Sequence, residues 1–99
     1  MKKDKEKTKT VFRMWPDGEV IALFPQIATA ISGYECQSYQ HIGQHSGANS
    51  WLVVVKTRPA KPEEYAELLK ELRQIGYNVR IAKRCTFQDQ QIRQRQYKI

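Results

Sequence analysis

The sequence predicts an α+β domain: a small antiparallel or mixed sheet of about five strands, in the order β-β-β-β-α-β, with one amphipathic helix packed on it. Three observations lead there. TVFRMW (10–15) and EVIALF (19–24) are β-prone runs joined by Pro16-Asp17-Gly18, and Asp-Gly between two such runs is a strong hairpin signal. Residues 62–75 repeat apolar side chains at helical spacing. YNVRIA (77–82) returns to the alternation of a strand directly afterwards.

Taken in order, residues 1–9 offer no apolar side chain after Met1, so they bury nothing and are expected to be a disordered basic tail. The hairpin strands follow, and Pro25 closes the second. QIATAIS (26–32) reads as a short helical turn or loop ended by Gly33. YECQSYQHI (34–42) alternates unevenly and reads as a strand partly covered on both faces. GQHSGANS (43–50), with Gly43 and Gly47, reads as a flexible turn. WLVVVK (51–56) is the most hydrophobic run, and its β-branched content favours a central strand over a helix. Pro62 suits a first helical turn, and Glu63 and Glu64 complement the helix dipole there. Tyr65, Leu68, Leu69, Leu72 and Ile75 then form one apolar stripe, with Gly76 placed as the C-cap. After the last strand, TFQDQQIRQRQYKI has five Gln and no strong period. It reads as a Gln/Arg-rich tail (87–99), or as a helix that orders against a partner. The predicted domain is 10–86.

Ninety-nine residues support one domain and one modest core, too little for a core plus a deep substrate cavity. No apolar run approaches 18 residues, so no transmembrane helix is expected. The basic N-terminus leads into no hydrophobic signal region, which makes a cytoplasmic setting the default. Cys36 and Cys85 are too few for a disulfide framework, and both are expected to be free thiols.

Three segments in this order resemble a family of small, functionally uncharacterised bacterial proteins often met on mobile elements: WPDGEVIALFP (15–25), CQSYQHIGQH (36–45) and RPAKPEEYAELLKELRQIGY (58–77). The resemblance implies a bacterial, intracellular setting and a common compact core. It brings no reaction, ligand or catalytic residue.

Charge is the clearest functional signal. The chain carries a formal +7, yet residues 1–9 contribute +3, residues 83–99 contribute +4, and 10–82 balances. A basic surface is therefore expected to come from the ends. Arg80, Lys83, Arg84, Arg93, Arg95 and Lys98 are the candidate phosphate contacts, with Phe87 and Tyr97 interleaved to stack on bases. Tyr39, His41 and His45 form a second polar and aromatic cluster for nucleic acid or a protein partner. The two histidines with Cys36 or Cys85 match no zinc spacing. Cys36 and His41, five apart, point to opposite faces of a regular strand, which disfavours a nucleophile–base pair. No glycine-rich phosphate loop is present. The expectation is a non-enzymatic protein without metal or cofactor, binding nucleic acid through basic terminal segments. The alternatives are a protein-interaction module or inhibitor and, after it, a small metal- or Cys/His-dependent enzyme.

Overall fold

The hairpin forms where the sequence places it. Strand β1 (Thr8–Met14) pairs antiparallel with β2 (Val20–Ala28), bringing Val11 opposite Leu23 and Phe12 opposite Ala22. Gly18 turns the chain with φ +92°, a value that L side chains rarely adopt. The Asp17 carboxylate accepts from the Glu19 N–H at 3.0 Å, closing the turn locally. The computed structural model describes residues 7–29, 35–40 and 44–97, with 44–46, 96 and 97 described as backbone only.

β2 does not stop at Pro25. It runs on to Ala28 with a register shift between Phe24 and Ala28, where the missing proline N–H interrupts the ladder. The expected turn at 26–32 is thus strand through Ala28. β3 (Cys36–Gln40) pairs antiparallel with β2, and β4 (Gln44–Ala48) with β3. Within the stretch read as a flexible turn, Gln44–Ala48 is therefore an edge strand.

The largest correction is at 51–56. Ser50–Lys56 is a helix, α1, not a central strand. The Asn49 side chain accepts from the backbone N–H groups of Trp51 and Leu52, the N-cap arrangement that starts a helix. At its other end the Arg13 guanidinium donates to the Val54 and Thr57 carbonyls and to Thr57 Oγ1, at 2.8–3.0 Å. A cation fixed at the C-terminal carbonyls complements the helix dipole. Caps at both ends outweigh β-branched propensity, which spans only about 1 kcal/mol.

β5 (Arg58–Pro59) follows, then α2 (Pro62–Ile75), β6 (Val79–Ala82) and α3 (Phe87–Tyr97). The sheet order is β4-β3-β2-β1-β5, and β6 lies parallel to β1 beside its N-terminal half. β5 takes the C-terminal half of that same β1 edge.

The fold is a small mixed α+β domain of three layers. Strand parity sends Phe12, Ala22, Phe24 and Tyr39 to one face, where Leu68 and Leu72 of α2 close over them. Phe12 stacks on Tyr65 and Phe24 on Tyr77, with ring centroids 4.3 and 4.8 Å apart. Val11, Ile21, Leu23 and Cys36 go to the other face, beneath Val53 of α1. α3 covers that same face, packed on β2. Three helices rather than one cover the sheet, and the 87–97 segment, read as a tail or as a helix ordered by a partner, is a helix packed on this chain's own sheet.

Candidate functional site

α3 is held by charge rather than by grease. Among the described residues, the buried side chains along it are Asp89 and Arg93, four apart on one face. Thr86 and Asp89 form a capping box: Asp89 N–H donates to Thr86 Oγ1 at 3.2 Å, and the Asp89 carboxylate accepts from Thr86 N–H at 2.8 Å. The same carboxylate accepts from Lys9 Nζ at 2.7 Å and from Gln26 Nε2 at 3.0 Å. Burial pushes the Asp89 pKa up, but the bonds from Lys9, Thr86 and Gln26 prevail and hold it below the ordinary carboxylate value. Arg93 Nη1 donates to the Pro25 carbonyl at 2.5 Å. Lys9, counted with the N-terminal tail on composition, thus lies in β1 with its side chain 10% exposed and ion-paired.

With Asp89 consumed inside, the outer surface here is cationic. Asp89 is the one acid in segments 50–57 and 83–97. Lys56, Lys83, Arg84 and Arg95 are exposed, and none has an ion pair among the described residues. The helix acids Glu63, Glu64, Glu67 and Glu71 all belong to α2, on the opposite face of the sheet. Glu71 there accepts from the buried Tyr39 hydroxyl.

Apolar groups stand among these cations. Phe87, in the first turn of α3, is 64% exposed. Phe87, Gln91 and Arg95 follow at i, i+4 and i+8, so the ring and the guanidinium rise from one exposed stripe about 12 Å long. The Trp51 indole N–H donates to Gln90 Oε1 at 2.9 Å, joining α1 to the first turns of α3. Trp51, Leu52 and Val55 make the outer side of α1 apolar. Two exposed aromatic rings on adjacent helices, bordered by unpaired cations, form the candidate surface.

The residues expected from sequence divide cleanly. Arg80, Lys83, Arg84, Phe87 and Arg95 are exposed on β6, the β6–α3 connection and α3. Arg93 is corrected: at 1% exposure it ties α3 to β2 and is unavailable to a ligand. Tyr39 is corrected too, since strand parity turns it into the core under α2. Only the backbone of Tyr97 is described, within α3, and only the backbone of His45, in β4 opposite Tyr39. His41 and Lys98 lie outside the described residues. Trp51 was missed because its segment reads as core strand. The findable signal was Asn49 ahead of the run, a good N-cap residue. For α3 it was the Thr86-x-x-Asp89 spacing.

Burial raises the Cys36 thiol to about 12, against the partial relief of Arg93. It raises Cys85 to about 11, with Asp89 adding to the rise. Burial thus favours the protonated thiol at both positions. Among the described residues, no three His, Cys, Asp or Glu side chains gather as a metal site. Among them, too, no helix is long and apolar enough to cross a membrane.

What the fold and surface define is a mixed α+β protein with a cationic, aromatic helical face. No protein-family model, curated protein or solved structure matches the chain.

Proposed function

We propose that the protein is a non-enzymatic nucleic-acid-binding protein whose contact surface is the outer side of α1, the β6–α3 connection and α3. One observation carries this reading: Phe87 stands 64% exposed three residues from Arg84 and four from Lys83, both exposed cations without an ion pair among the described residues. Cations hold phosphates without reading sequence, and an exposed ring supplies the stacking platform for a base. Arg80 and Arg95 extend the cationic surface on either side.

Fluorescence anisotropy with labelled oligonucleotides, titrated from low to near-physiological salt, tests it. Affinity should fall steeply with salt, and K83Q with R84Q should flatten that slope. Phe87→Ala should weaken binding by about fivefold to a hundredfold, the loss of one stacked base. Binding that ignores Phe87 and vanishes by about 0.15 M salt would reduce the surface to nonspecific charge.

A second reading, a protein-interaction module, draws on Leu52 and Val55, 56% and 81% exposed on α1. Aliphatic side chains have no π-face for a base, and exposed together they make an apolar patch of the kind a protein partner covers. Val55→Ser, which adds no charge, should weaken capture of such a partner at unchanged melting temperature while the Lys83- and Arg84-dependent salt slope for nucleic acid persists.

A further inference from the structure

On the far side of Lys83 and Arg84 the sheet edge opens into a groove. β5 and β6 share the outer edge of β1 without meeting, and the break between them is lined by Pro59, Ala60, Ala82, Lys83 and Arg84. Tyr65 and Ile81 line this cavity of about 440 Å³. They also line a second, of about 490 Å³, between α2 and β6. The two adjoin at Tyr65 and Ile81 and together make the groove along α2 and β6. Its floor is apolar and aromatic, made by Tyr65, Leu69 and Ile81. Tyr65 is braced from behind by its stack on Phe12. Its far rim carries Lys70 and Arg73, exposed and without an ion pair among the described residues. Among the described residues no acid lines either cavity, although α2 has four on its other flanks.

The geometry points to an unpaired strand of DNA or RNA as the ligand, running from the Trp51–Phe87 surface over Lys83 and Arg84 into the α2–β6 groove and ending at Lys70 and Arg73. This rests on the nucleic-acid reading above and adds the ligand's form and path. Lys83 and Arg84 belong to both surfaces, so a backbone held by them is continuous from one to the other. Cations at both ends of an apolar floor match a chain with phosphates along its length and bases between them. In a duplex the base faces are already stacked and paired, and a floor of Tyr65, Leu69 and Ile81 has nothing to receive.

Anisotropy of the full chain with single-stranded DNA, single-stranded RNA and duplex DNA of about 12 nucleotides tests this. Either single strand should bind at least tenfold more tightly than the duplex. Replacing both Lys70 and Arg73 by Gln should lower the log–log salt slope for single strands by about 1.4, two phosphate contacts. Over a fourfold range of salt, that shrinks the salt effect about sevenfold. Lys61→Gln, which removes an exposed cation lining neither cavity, should lower it by much less. Circular dichroism should show all variants folded, since these side chains are exposed.

Equal affinity for duplex and single strand, with Phe87 still required, would overturn the single-strand path and leave the nucleic-acid reading standing. A single-strand preference that ignores Lys70 and Arg73 would overturn the groove. A polyglutamate peptide that competes as well as the oligonucleotide would assign the groove to acidic peptides instead. Binding of no nucleic acid at all would overturn both readings together.

Discussion

Asp89→Ala should unfold more of this protein than any surface substitution of its size. The carboxylate is 2% exposed and holds three groups: Lys9 at 2.7 Å, Gln26 at 3.0 Å and Thr86 N–H at 2.8 Å. Its removal leaves the Lys9 ammonium, itself only 10% exposed, without its counter-charge. Breaking a buried pair from one side costs about 3–5 kcal/mol, because the surviving charge keeps its desolvation penalty. Against a total stability of about 5–15 kcal/mol, that is a large fraction. The assay is a urea melt followed by tryptophan fluorescence, in which Trp51 reports on α3 through its bond to Gln90. The midpoint should fall at unchanged slope. A companion Lys9→Met/Asp89→Leu double variant removes both charges and should recover much of the loss. Asp89→Asn should also flatten the pH dependence. A depressed pKa contributes stability that is complete above the unfolded value near pH 4 and lost as pH falls through the folded value. A loss below about 1 kcal/mol for Asp89→Ala would refute the argument, since a solvated carboxylate pairs that weakly.

Three further outcomes follow from the packing. Leu72→Ala, at 0% exposure beneath Phe12, Phe24 and Tyr39, should cost about 2–5 kcal/mol, while Val55→Ala on the outer side of α1 should stay within about 0.5 kcal/mol in the same melts. Native protein should react slowly with a thiol reagent at pH 7 and expose both Cys36 and Cys85 on unfolding; rapid native labelling of Cys36 would contradict its burial. Ser50→Ala should stabilise by about 1 kcal/mol, because Ser50 Oγ is buried without a partner among the described residues, and calorimetry showing a loss instead would mean that the hydroxyl is satisfied.

The hairpin, α2 and β6 were legible in the sequence because each announces itself locally. Asp17-Gly18 sets a turn, the stripe through Leu68 and Leu72 has a helical period, and Val79 and Ile81 alternate. These are short-range signals, and short-range physics decides them. The site was legible only in part. Lys83, Arg84, Phe87 and Arg95 are exposed as their composition suggested, whereas Arg93 and Tyr39 turned inward. α1 and α3 carry their information elsewhere in the chain. α1 is helical because Asn49 caps it and because Arg13, 41 residues from Val54, holds its last carbonyls. α3 has no apolar stripe, since its inner face is Asp89 and Arg93. Its partners Lys9 and Pro25 are 80 and 68 residues away. A buried charge looks like a surface charge until the fold supplies its partner. That long-range pairing is what turned a basic tail into a docked helix, and it left the cations outside it free.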